Sequence, residues 1–142
     1  MRGIKFRGFS ETLNKWVIGV PYFSEGNWWI LVDENTKSED IGTGSYFVDK
    51  NSIGQYTGLK DKNGVEIYEG DIVKDSSSRF MSIVWDDRFG TSRFVLKAIN
   101  SVHHVRAGRI LNTHDWILQD DNDIEVVGNI YENPESMSKQ KI

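Results

Sequence analysis

Short alternations of apolar and polar residues, each closed by a cluster of turn formers, run along most of the chain. Ile4, Phe6 and Gly8 fall on one side of the first alternation and Lys5, Arg7 and Phe9 on the other, the period of a half-buried strand. Ser10 to Asn14 is turn-like, and Lys15 to Val20 predicts a second strand. Pro21 is expected to stop it, because proline has no N–H to give to a central ladder. Ser24-Glu25-Gly26-Asn27 predicts a reversal into Trp28 to Val32, which is rich in aromatic and β-branched residues. The opening third therefore reads as a β-meander. Asp33 to Gly44 is polar and breaks the pattern, reading as a mobile loop before a short strand at Tyr46-Phe47-Val48.

Gln55 to Val73 has the clearest design: strand, turn, strand, second turn, strand. Asn63-Gly64 is its strongest hairpin signal, since both residues tolerate positive φ. Lys60-Asp61-Lys62 leaves room for a loop of four or five residues as well as a two-residue turn, and Glu69-Gly70 marks the second reversal. Lys74 to Ser78 reads as a flexible, serine-rich hairpin loop. In the strand that follows, Phe80, Ser82 and Val84 alternate against Met81, Ile83 and Trp85. Ser92 to Lys97 and Val102 to Ala107 predict further strands. Ile110, Leu111, Ile117 and Leu118 partly fit a helical face, so Arg109 to Gln119 is allowed one short helix, with Thr113 or Asp115 as its cap. Ile124 to Tyr131 is the last strand, interrupted at Gly128 by an expected bulge. The pattern predicts an all-β fold, barrel-like or a two-sheet sandwich of many short antiparallel strands, with at most one short helix. Residues 1–135 are expected to form one domain and 136–142 a flexible C-terminal tail.

Composition narrows the class of protein. With 38% hydrophobic and 27% charged residues the chain is neither disordered nor built for a bilayer, and no apolar run is long enough to span one. The N-terminal residues lack the apolar stretch of a secretory signal. The absence of cysteine excludes disulfides, thiolate metal sites and a Cys nucleophile, and fits a protein of the bacterial cytoplasm. Five Trp, five Tyr and seven Phe exceed what a small β core needs, which predicts a homo-oligomer that buries some of them, with an ordinary aromatic-rich sandwich core as the alternative.

No catalytic, cofactor or metal site stands out. His103 and His104 would point to opposite faces of a strand, and no zinc spacing joins them to His114. Asp121, Asp123, Glu125 and Glu132 imitate part of a calcium loop, but Val126 stands where the sharp turn needs glycine. Gly42-Thr43-Gly44 lacks the third glycine of a dinucleotide loop, Phe47 standing in its place. No serine lies in a G-x-S-x-G elbow, and spacing alone cannot set two carboxylates across a substrate; Asp71, Asp86 and Asp87 are the first candidates, with turn roles favoured for them. The net charge of −4 is unevenly spread: residues 79–109 hold six Arg or Lys against two Asp, and 110–135 hold seven acids and no base. Arg79, Arg88, Arg93, Lys97, Arg106 and Arg109 interleave with aromatics including Trp85 and Phe89, the composition of a single-strand nucleic-acid surface. The alternative is a solvated outer face over inward-pointing rings, and the acidic total favours it.

Gln55-Tyr56-Thr57-Gly58-Leu59-Lys60-Asp61-Lys62-Asn63-Gly64, followed by Glu66-Ile67-Tyr68-Glu69-Gly70-Asp71-Ile72-Val73, resembles the central signature of the YopX family of phage and prophage proteins. Ile4-Lys5-Phe6-Arg7 resembles the family's opening, and Glu125 to Pro134 its closing motif. The resemblance implies an all-β fold in a phage-encoded protein. It implies no activity and carries over no site residue. The leading expectation is a cytoplasmic, non-enzymatic, self-assembling β module that binds a phage or host protein. A nucleic-acid-binding barrel is the second reading, and a small hydrolase or metal-dependent enzyme the third.

Overall fold

The computed structural model describes residues 4–86, 93–99, 110–111 and 123–134. The chain divides into two compact units, 1–56 and 57–142. In the first unit β1 (Phe6–Ser10), β2 (Lys15–Ser24), β3 (Asn27–Val32) and β4 (Gly44–Phe47) form an antiparallel meander, and the start of β5 (Gly54–Lys60) pairs with β1. The hydrogen-bonded order is β4-β3-β2-β1-β5. Val17, Ile30, Val32, Ile41 and Val48 make the core of this unit, with Phe6, Trp28, Tyr46 and Ile53 against it.

β2 does not stop at Pro21. It continues to Ser24, and the ladder partners explain why. Residues 15–19 pair with β1, whereas residues 20–24 pair, among the described residues, with β3 alone. The Val48 N–H donates to the Trp28 carbonyl at 3.1 Å, so Trp28, Ile30 and Val32 aim their main-chain groups at β4. Trp29 and Leu31 then face β2, and Pro21, opposite Ile30, lies at a non-hydrogen-bonded position. Its missing N–H points to the side of β1, which begins only at Phe6 opposite Gly19, so no ladder bond between the described strands is lost. The reversal after it is a two-residue turn with Glu25 at φ 55° and Gly26 at φ 79°, joining the paired residues Ser24 and Asn27. The polar loop before β4 is also more ordered than its composition suggests. Ile41 is buried in the core, and the Asp33 carboxylate accepts from the N–H groups of Asn35 and Thr36.

In the second unit β5 ends hydrogen-bonded to β6 (Glu66–Tyr68), and the Thr57 hydroxyl donates to the Ile67 carbonyl at 2.8 Å. A 5-stranded antiparallel sheet follows, in the order β10-β9-β8-β7-β11. Its strands are β7 (Asp71–Lys74), β8 (Phe80–Asp86), β9 (Arg93–Ala98), β10 (Ile110–Leu111) and β11 (Glu125–Asn129). Ile67, Val73, Met81, Ile83, Leu96 and Ile124 form the core of this unit. The alternation read along Phe80 to Trp85 holds, with Met81 and Ile83 on the core side. The pairing of β11 with β7 shifts register between Val126 and Gly128, which is the expected bulge.

The fold is all-β in two antiparallel sheets, and neither closes into a barrel among the described residues. The sole helical element described is a 3₁₀ turn at Lys50–Ser52. Ile110 and Leu111 belong to a strand opposite Lys97 and Leu96 rather than to a helix, while 112–119 lie outside the described residues. So do the strand expected at Val102 to Ala107 and the tail 136–142.

Candidate functional site

The signature stretch folds into capped turns. Asp61 is buried, and its Oδ1 accepts from the N–H groups of Asn63 at 2.8 Å and Val65 at 2.9 Å. Its own N–H donates to the Val65 carbonyl, and the Gly64 N–H donates back to the Asp61 carbonyl. Gly64, at φ 82°, takes the left-handed position of this five-residue loop. The serine-rich loop repeats the geometry. Asp75 Oδ1 accepts from Ser77 at 3.0 Å and Arg79 at 2.9 Å, and Ser78 stands at φ 63° where the first loop has glycine. Asp71, fully buried, accepts the Tyr68 N–H at 2.7 Å. The closing motif is a cap as well. Asn129 Oδ1 accepts the Glu132 N–H, its Nδ2 donates to Glu132 Oε1, and Asn133 Oδ1 accepts the Asn129 N–H. The most recognisable residues thus serve the backbone.

Among the described residues, the bases Arg93 and Lys97 and the ring of Trp85 do not share one face of the sheet. Arg93, Val95 and Lys97 alternate onto one side of β9, whereas Trp85 stands opposite Phe94 on the other, the rings edge to face at 4.8 Å. Arg79 donates through Nε to Asp75, whose side chain is almost wholly buried. Arg88, Phe89, Arg106 and Arg109 lie outside the described residues, as do His103, His104, His114, Asp87 and Asp121. Among the described residues no group of three or more His, Asp or Glu could hold a metal ion. Asp123 accepts from the Ser76 hydroxyl, and Glu125 pairs with Lys62.

The first unit carries a different surface, which alternation along single strands could not reveal. Register puts Phe9, Trp16, Ile18, Val20, Tyr22, Trp29, Leu31, Ser45 and Phe47 on the face opposite its core. Val20, Leu31, Phe47 and Tyr22 are 52%, 45%, 44% and 37% exposed, so this is an open apolar face rather than a second core. Tyr22, Trp29 and Phe47 form a row across three strands, with Trp29 and Phe47 edge to face at 5.9 Å. The Tyr22 hydroxyl donates to the Ser45 hydroxyl at 2.6 Å and fixes the end of the row. At the β1 side Arg7 lies over the Trp16 ring at 4.5 Å and Lys5 over Tyr56 at 5.0 Å, leaving the β2–β4 part of the face without charge. A cavity of about 280 Å³ at its margin is lined by Glu11, Trp28, Phe47, Asp49 and Lys50 among others. Asp49 is the cap of the 3₁₀ turn, accepting the Asn51 N–H, which leaves Glu11 as the cavity's other acid.

Comparison with known proteins agrees with the fold and the signature. No curated protein matches the chain. Among solved structures, the crystal structure of protein EF1440 from Enterococcus faecalis is similar, with 28% identity and a TM-score of 0.51. That match covers 96% of this chain and 99% of the other. No described helix is long and apolar enough to cross a membrane. The family model described as YopX protein matches residues 5–138, taking in the opening, central and closing motifs, and the chain belongs to the YopX family.

Proposed function

We propose that this protein is a non-enzymatic β module, phage-encoded and cytoplasmic, that works by self-assembly and by binding a partner protein. The observation that carries this reading is the uncharged apolar face over β2, β3 and β4, with Val20, Tyr22, Leu31 and Phe47 open to solvent. Contiguous exposed apolar surface of this kind marks a protein-binding site more often than a monomer's bare surface. The family match running through both units supports treating 1–135 as one domain. Sedimentation equilibrium of the wild type and of Leu31→Glu tests the proposal. The wild type is expected to exceed monomer mass at micromolar concentration and the variant to be smaller. A wild type that stays strictly monomeric removes the self-assembly half.

The nucleic-acid reading has weaker support, because the described bases Arg93 and Lys97 lie across the sheet from Trp85. A salt-dependent mobility shift of labelled single-stranded DNA or RNA would revive it, and no binding at low salt would end it.

A further inference from the structure

β4 is an edge strand: among the described residues it pairs with β3 alone. The phase set by the Val48 N–H to Trp28 carbonyl bond turns the main-chain groups of Gly44 and Tyr46 toward β3. Those of Ser45 and Phe47 therefore point out of the sheet. Natural edges are blunted by charge, proline, bulges or brevity. The other described edges show these devices, since β11 carries the bulge at Gly128, β6 has only 3 residues, one of them Glu66, and β10 has only 2. β4, Gly-Ser-Tyr-Phe, has no charge, no proline and no register shift against β3. Its exposed side chain Phe47 continues directly into the uncharged face of Trp29, Leu31, Val20 and Tyr22.

We propose that the occupant of this edge is β4 of a second copy of the chain, antiparallel about a two-fold axis at Tyr46; this rests on the self-assembly reading above. Centred there, Ser45 of each copy would exchange both N–H···O bonds with Phe47 of the other, and the outward groups of both residues would be satisfied. A centre at Ser45 or Phe47 satisfies only one of them within β4. The Phe47 side chain of one copy would lie beside the small Ser45 of the other. The aromatic row Tyr22, Trp29, Phe47 would then run on into Leu31 and Val20 of the second copy. Because these positions carry no charge, two identical edges meet without the like-charge cost that would oppose a two-fold contact.

The chain has no cysteine, so single-cysteine variants report register directly. Directly opposed residues of a hydrogen-bonded pair lie about 5.5 Å apart, within disulfide reach, and diagonal ones about 7–8 Å apart, beyond it. Ser45→Cys mixed with a size-tagged Phe47→Cys should give a mixed disulfide dimer under mild oxidation, and neither variant alone should. Ser45→Pro, which removes the outward N–H and keeps the apolar face, should weaken self-association by about tenfold or more. Its fold is checked by circular dichroism, and the disulfide test stands if it misfolds. If the wild type assembles but gives no mixed disulfide, or Phe47→Cys links only to itself, the edge pairing is overturned while face-driven assembly stands. A monomeric wild type overturns both.

Discussion

The main-chain N–H of Val126 donates to Asp61 Oδ2 at 2.9 Å, joining residues 65 positions apart. The same carboxylate holds its own loop closed through Asn63 and Val65, and the Lys62 N–H donates to the Ile124 carbonyl beside it. The signature loop is thereby fastened to the last strand. Asp61→Asn should cost about 2 kcal/mol, since an amide must turn an N–H toward one of these donors and hydrogen bonds to a charged acceptor are worth about 1.5–3 kcal/mol. Urea unfolding measures it, and an unchanged midpoint would show that water replaces the carboxylate.

The loops at Asp61 and Asp75 differ at their left-handed residue, Gly64 in one and Ser78 in the other. A side chain in that conformation costs about 1 kcal/mol relative to glycine. Ser78→Gly should therefore stabilise the second unit by up to about that amount, and Gly64→Ser should destabilise it comparably. Thermal melts of the two variants should move in opposite directions.

Gly128 sits at the bulge with no room for a side chain: a Cβ there would meet Asn133 Oδ1 at 2.5 Å. Asn133 cannot simply move, because that oxygen accepts the Asn129 N–H. Gly128→Ala is expected to cost about 1–3 kcal/mol, the usual range for overpacking. In a double-mutant cycle, Gly128→Ala on an Asn133→Ala background should cost clearly less than on the wild type. Equal costs would place the constraint in the backbone instead.

Pro21 and Val20 are neighbours with opposite ladder roles. Val20 pairs with Leu31 at a hydrogen-bonded position of β3, and Pro21 with Ile30 at a non-hydrogen-bonded one. Pro21→Val should leave stability nearly unchanged, whereas Val20→Pro should lose about 1–3 kcal/mol from an unmade ladder bond. Chemical denaturation of both variants decides whether the strand phase is right.

Much of the fold was legible because it depends on local patterns. Period-two alternation located most strands, Gly64 and Gly70 located turns, and Gly128 located a bulge. The expectations that failed concerned residues whose meaning depends on a partner. Pro21 reads as a strand stop unless β1 is known to begin only opposite Gly19. Ser76 to Ser78 reads as slack until Asp75 is seen to cap the loop. The open apolar face over β2, β3 and β4 was not legible as a place at all. The aromatic surplus was visible, but alternation along one strand does not say which strands lie beside it.

By itself the sequence determined an all-β chain of short antiparallel strands and its turn positions, because these follow from backbone preferences within a few residues. Only the tertiary structure decided which aromatics stay outside. A side chain's face is fixed by its strand's phase, but whether that face is covered depends on distant strands. Val17 and Ile18 are adjacent in β2, one buried in the core and the other on the open face with Val20 and Tyr22. The same holds for Asp61, whose carboxylate could cap its own loop from sequence alone, but whose bond to Val126 exists only once β11 lies beside it.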